Sequence, residues 1–147
     1  MTVKEYLLQV RRLDATIQRL DQELKRAKAE LIALRSSWPD GQPHGSGGTS
    51  DPVGEKASQL ADTITQIEHD QLMTRARLWK IRAEIVETVG EVLDPFLQEI
   101  LYSYYVDGKT FEQVAVDTGY SYRHVTRKHG EALVSLSRIL EKKKRCP

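Results

Sequence analysis

The sequence predicts an all-α chain in which two long helices precede three short ones. Three observations carry that prediction. Through the N-terminal half, apolar residues recur at alternating spacings of four and three, the rhythm of a helical seam. Asp-Pro pairs at 51–52 and 94–95 each offer a cap followed by a residue suited to a first helical turn. Between Gly108 and Leu133, "GKTFEQVAVDTGYSYRHVTRKHGEAL" sets Gly119 between a short apolar segment and a serine that opens a cationic one. That layout suits two short helices crossing at a tight turn, a helix-turn-helix, with Ala115 as the small residue at the crossing.

The first helix carries its seam on Tyr6, Val10, Leu13, Ile17, Leu20, Leu24, Ala27, Leu31 and Leu34. "RRLD" at 11–14 and "QRLD" at 18–21 repeat one heptad apart. Val10 and Ile17 at a, with Leu13 and Leu20 at d, resemble a parallel two-stranded core, and Glu23 with Lys28 and Glu30 with Arg35 would flank it. A partner within the chain competes for the same face. From Pro52 to about Val92, with Asp51 as N-cap, a second helix carries Ala57, Leu60, Ile64, Ile67, Leu78, Ile81, Ile85 and Val92 on one seam. Gln71, Thr74 and Thr88 fill its remaining positions, Gln71 and Thr74 acting as register-fixing polar residues or as a wet gap. Pairing in cis and in trans both remain open. A homo-oligomer through residues 6–34 and 57–92, most simply a dimer, is the expectation.

Between these helices, "SSWPDGQPHGSGGTSDP" reads as a flexible loop over about 36–50. Its "GSGG" lacks the Lys-Ser/Thr of a phosphate-binding loop and follows no strand. Trp38 is expected to anchor the bundle end, with a partner-binding tip as the alternative, and His44 to be a plain loop residue. Residues 1–93 are thus expected to form a helical hairpin or coiled coil, and residues 94–147 a helix-turn-helix domain with a basic tail.

In that second part, Asp94 caps a helix that Pro95 begins, with Leu97, Ile100, Leu101 and Tyr104 as its apolar stripe. Gly108 ends it. Thr110 and Gln113 form a capping-box pattern for a short helix from Phe111 to Thr118. Val114, Tyr120 and Val125 are expected to hold it to a third helix, capped by Ser121 and running to about Lys142. The inner face of that helix would be Val125, His129, Ala132, Leu133, Leu136 and Leu140. His129 is expected to pack or cap at the core boundary. Gly130 costs roughly 1 kcal/mol inside a helix, for which close packing and close approach to DNA are equal explanations.

Composition bounds the function. The 147 residues, 39% apolar and 29% charged, suit one soluble domain or two small ones. Cys146 is the single cysteine, so an internal disulfide and a multi-cysteine zinc site are excluded, as fits a reducing cytosol. The start, "MTVKEYLLQVRRLD", has charges in every turn and no signal-peptide core, and no apolar run is long enough to span a bilayer. A cytoplasmic protein with no membrane partner is expected. No cofactor and no metal site is expected: His124 and His129, five apart, diverge around a helix. No paired acid/base constellation marks an enzyme, and Cys146 has no base placed to activate it.

The net charge of +1 hides an asymmetry. From Ser121 onward, Arg123, Arg127, Lys128, Arg138, Lys142, Lys143, Lys144 and Arg145 outnumber Glu131 and Glu141. A basic stripe is the usual footprint of a nucleic-acid surface, and a solvated helix face is the plain alternative. A recognition helix reads the major groove with its N-terminal residues. The outward positions here make Tyr122, Arg123, Thr126 and Arg127 the base-contact candidates. Lys109, Thr110, Ser121, His124, Lys128, Lys142, Lys143, Lys144 and Arg145 would hold phosphates.

The stretch "ILYSYYVDGKTFEQVAVDTGYSYRHVTRKHGEALVSL" resembles the promoter-reading region 4 of bacterial sigma factors, and more closely the phage regulators of the RinA and ArpU type. The likeness extends to the "YL…R.LD" start and the Gly/Ser/Asp-Pro loop. It implies a phage or prophage transcription regulator that binds double-stranded promoter DNA in a bacterial host cell, with RNA polymerase as a candidate partner. Two positions depart from the family: Tyr104-Tyr105 stands where Arg-Tyr is common, and Lys128 where an apolar residue is frequent. The stem of Lys128 would then cover the core edge while its ammonium reaches out. A small terminase-like packaging adaptor and a polymerase-binding module that does not read DNA remain the alternatives.

Overall fold

A computed structural model describes residues 1–37 and 52–146. The expected Asp51 cap, Trp38, His44 and the loop beyond Ser37 lie outside them. All regular structure among the described residues is helical: α1 Val3–Ser36, α2 Pro52–Val89, α3 Pro95–Leu101, α4 Phe111–Thr118 and α5 Tyr122–Arg145. A π-helical segment, Tyr102–Val106, continues α3.

Packing divides the chain into two compact units, Ala15–Ala76 and Met1–Asp14 with Arg77–Pro147. In the first, α1 and α2 run antiparallel. Glu30 pairs with Lys56 and Lys28 with Glu68, each at 3.5 Å, and the Gln71 side-chain amide donates to Asp21 at 3.3 Å. Leu24, Ala27 and Leu31 are buried on α1, Ala57 and Ile67 on α2. The charges expected to flank a parallel coil, Lys28 and Glu30, therefore find partners within the chain. Buried Gln71 ties one helix to the other through this polar bond.

The second unit joins both ends of the sequence. Its core takes Leu7 and Val10 from α1, Leu78, Ile85 and Val89 from α2, and Val92 from the connection that follows. The C-terminal helices add Leu97, Ile100, Leu101, Tyr105, Val114, Val125, Ala132 and Leu136. The compositional boundary expected between residues 93 and 94 thus falls inside a packed unit. Side chains beyond it satisfy the exposed carbonyls at the end of α2: Gln98 donates to Gly90 and Val92 at 3.0 and 2.7 Å, and the Tyr102 hydroxyl donates to Val86 at 3.1 Å.

Local capping matches the sequence closely. Asp94 accepts from the Phe96 amide with Pro95 in the first turn. Thr110 and Gln113 form a reciprocal capping box. Ser121 accepts from the His124 amide. Gly108 and Gly119 take φ of 73° and 74°, the left-handed region that a side chain disfavours.

The stripe expected to run from α3 to Tyr104 differs: Tyr105 is the fully buried residue and Tyr104 is half-buried. The cause is the π-helical turn, in which the Asp107 amide bonds back to Tyr102 at 2.9 Å. One extra residue in the turn rotates everything after Leu101, so a 3.6-residue count points to the wrong tyrosine.

Candidate nucleic-acid interface

The helix-turn-helix is built on a small core of Ile100, Val114 and Val125, against which Phe96, Phe111 and Ala115 pack. Val125 anchors the second turn of α5 from inside. The residues around it are thereby held outward: Tyr122, Arg123 and Arg127 are exposed and Thr126 is half-buried. Ser121, Arg123, His124, Thr126 and Arg127 line one shallow polar depression at the start of α5. The Thr126 hydroxyl donates to the Arg123 carbonyl at 3.0 Å. Tyr122 meets Phe111 edge to face, with ring centroids 6.4 Å apart.

His124 has a defined task within this cluster. Its ring lies nearly parallel to Tyr120 at 4.8 Å and to Phe96 at 5.8 Å, and its Nδ1 accepts from Arg127 at 3.0 Å. An aromatic stack thus steadies one of the two guanidinium groups. Tyr120, expected to help hold α4 to α5, is half exposed and makes its apolar contact through this stack.

The phosphate candidates separate into four groups. Ser121 and His124 border the depression with the base-contact candidates. Lys109 and Thr110 lie at the start of α4, and the Lys109 ammonium is 2.9 Å from Asp117, whose hydrogen bond raises its pKa. The Thr110 hydroxyl is engaged in its capping box. Lys128, half-buried, bonds to Glu131 at 3.0 Å. The tail Lys142, Lys143, Lys144 and Arg145 is not brought to the cluster, because at 1.5 Å per residue Lys142 stands roughly 28 Å along α5 from Arg123. Lys143 is bonded to Glu91 at 2.7 Å, which raises its pKa, and to Thr88 at 3.4 Å.

Two supporting residues escaped the sequence reading. Arg11, on α1, donates through Nε to the Tyr104 carbonyl at 3.1 Å and through Nη2 to the Lys109 carbonyl at 3.0 Å. Its guanidinium lies 4.0 Å from the centre of the Tyr104 ring, on which Phe111 is stacked at 4.2 Å. Tyr105 bonds through its hydroxyl to His129 Nε2 at 2.7 Å. Burial, and next the neighbouring Tyr104, pushes the Tyr105 phenol up to about 12. Burial, with a smaller effect of Lys4, holds His129 below the ordinary imidazole value. Arg11 sits 93 residues from Tyr104, and no local pattern announces a contact of that range.

An added Cβ at Gly130 would meet nothing within 4 Å. Close packing therefore does not explain that glycine. It lies on the same helical face as Arg123 and Arg127, at spacings of four and three.

No protein-family model, no curated protein and no solved structure matches the chain. Among the described residues, no group of three or more His, Cys, Asp or Glu could hold a metal ion. None of the described helices is long and apolar enough to cross a membrane.

Proposed function

We propose that the chain is a phage-type transcription regulator that binds promoter DNA through α4 and α5, with RNA polymerase as a candidate second contact. The observation that carries this reading is the face of α5 that opens at the Ser121 cap. Tyr122, Arg123, Thr126 and Arg127 project from a buried Val125 anchor, two of them guanidinium groups one turn apart. A guanidinium can donate two bonds to a guanine edge, and Thr or Tyr can meet a thymine methyl or a phosphate. Ser121, His124, Lys128, Lys109 and Thr110 would contribute backbone contacts around them. The sigma region 4-like sequence pattern supports the same reading.

Selecting bound fragments from the source genome, followed by anisotropy titrations at two salt concentrations, tests it. Arg123→Ala or Arg127→Ala should each cost about 1–3 kcal/mol on the selected site and relax preference at one base pair. No binding at low salt rejects the proposal.

One observation favours a polymerase-binding module instead. Lys109, Lys128 and Lys143 already face carboxylates, which reduces the positive charge available to phosphates. Recovery of polymerase from host lysate after nuclease treatment, with no DNA affinity, would decide for that reading.

A further inference from the structure

Helix α2 is apolar on two faces. One, through Leu78, Ile85 and Val89, is buried in the core. The other runs through Trp79, Ala83 and Val86, at spacings of four and three, and continues to Gly90, the residue after the helix end, whose amide bonds back to Val86 at 3.0 Å. All four are exposed, Trp79 by 69% and Val86 by 39%, and Leu93, three residues on, is exposed by 97%. A helix that only covers a core needs one apolar stripe with a polar back. Here the back carries an indole.

The order of sizes along this stripe is informative. Large Trp79 and Val86 alternate with small Ala83 and Gly90. A Cβ at Gly90 would crowd the Glu87 and Val86 carbonyl oxygens at 3.3 Å, with the Tyr102 hydroxyl at 3.5 Å. Lys80 and Glu87, both exposed, flank the stripe on one side. On the other side Arg82 faces Asp14 at 3.6 Å and so is already engaged.

We propose that this stripe pairs two copies of the chain, α2 against α2, antiparallel about a two-fold axis passing between positions 84 and 85. In that register Trp79 of one copy lies against the partner's Gly90, and Ala83 against the partner's Val86. Every layer joins a large residue to a small one. A parallel pair would instead stack indole on indole and glycine on glycine, which uneven layers cannot fill at one helix separation. The antiparallel register also sets Lys80 beside the partner's Glu87, twice by symmetry. Glu87 otherwise lies within the electrostatic reach of Lys143, whose ammonium is bonded to Glu91. The apolar surface is modest, on the order of a few hundred Å² per copy, so the pairing belongs to the weak class, with a dissociation constant of roughly micromolar order.

This face is distinct from the buried seams of α1 and α2, and the pairing does not depend on what α5 binds. Because Gln98 and Tyr102 fasten the end of α2 to the helices that follow, such a dimer would present two helix-turn-helix units with two-fold symmetry.

Sedimentation velocity on the full chain, from low to several hundred micromolar and without DNA, tests the proposal. The wild type should shift from monomer to dimer across that range. Lys80→Glu and Glu87→Lys alone should each raise the dissociation constant about tenfold, because two attractive contacts become repulsive. The double variant K80E/E87K should return to within about threefold of wild type, since the swap restores both pairs. Trp79→Ala should leave a monomer of unchanged helicity by circular dichroism. A monomer throughout for the wild type, a dimer indifferent to Trp79→Ala, or a double variant no better than its parents overturns the pairing.

Discussion

Arg11→Ala should loosen the helix-turn-helix without touching any residue of it. The guanidinium makes two bonds, at 3.1 and 3.0 Å, to carbonyls at Tyr104 and Lys109, and rests 4.0 Å from the Tyr104 ring. Bonds to a charged group contribute about 1.5–3 kcal/mol each when dry, and less here because both are only partly buried; about 1 kcal/mol each is a fair value. The ring contact adds about 0.5–1 kcal/mol. Water can reach the freed carbonyls, so the expected net loss is about 2 kcal/mol. For a chain of this size that corresponds to a melting temperature lower by about 4–8 °C. Urea unfolding followed by circular dichroism gives the stability, and amide exchange locates it. Protection should fall first around the π-helical turn and the start of α4. Arg11→Lys should recover less than half the loss, because one ammonium cannot bridge two carbonyls as a planar fork does. A loss below about 0.5 kcal/mol, or full recovery by lysine, would refute the idea that α1 braces this domain.

Burial lowers His129 beneath the free imidazole value of 6.5, so the unfolded chain binds its proton more readily than the folded one. Stability should therefore decline as pH falls through about 6.5 and level off below the folded pKa of His129, and an acid titration of the urea midpoint would show it. Tyr105, raised from 10.0 to about 12, predicts the opposite limb: stability lost as pH rises between those values, and that limb absent in Tyr105→Phe. Gly130→Ala should stabilise the fold by about 0.5–1 kcal/mol, since open space surrounds the new methyl and alanine favours helix. If DNA affinity drops in that same variant, the glycine serves approach to the duplex; unchanged affinity would remove that role. Gly119→Ala, at φ 74°, should instead cost about 1 kcal/mol, measurable by thermal melting.

The sequence by itself determined whatever depends on near neighbours. Asp94 with Pro95, Thr110 with Gln113, and Ser121 before a helical run act over three residues or fewer, so their chemistry is visible in a short window. The same holds for Gly108 and Gly119, whose positive φ follows from tight local turns. Heptad spacing likewise revealed that α1 and α2 needed a covering partner, although it left cis and trans pairing equivalent. Tertiary packing decided the rest. Lys28 and Glu30 turned toward α2, Arg11 reached across 93 residues to the Tyr104 carbonyl, and Met1–Asp14 joined the C-terminal helices in one unit. The π-helical turn exchanged Tyr104 for Tyr105 in the core, a one-residue rotation that helical periodicity cannot register. The candidate site divides on the same line. Its exposed side chains, Tyr122, Arg123 and Arg127, follow from α5 periodicity around buried Val125. The engagement of Lys109, Lys128 and Lys143 with carboxylates follows partly from chain folding. Lys128 finds Glu131 within one turn, whereas Lys109, just before α4, meets Asp117 in the last turn of that helix, and Lys143 reaches Glu91 only because α5 returns to the end of α2. Charge counts along a sequence record how many bases are present; which of them are already neutralised is set by distances that only the folded chain defines.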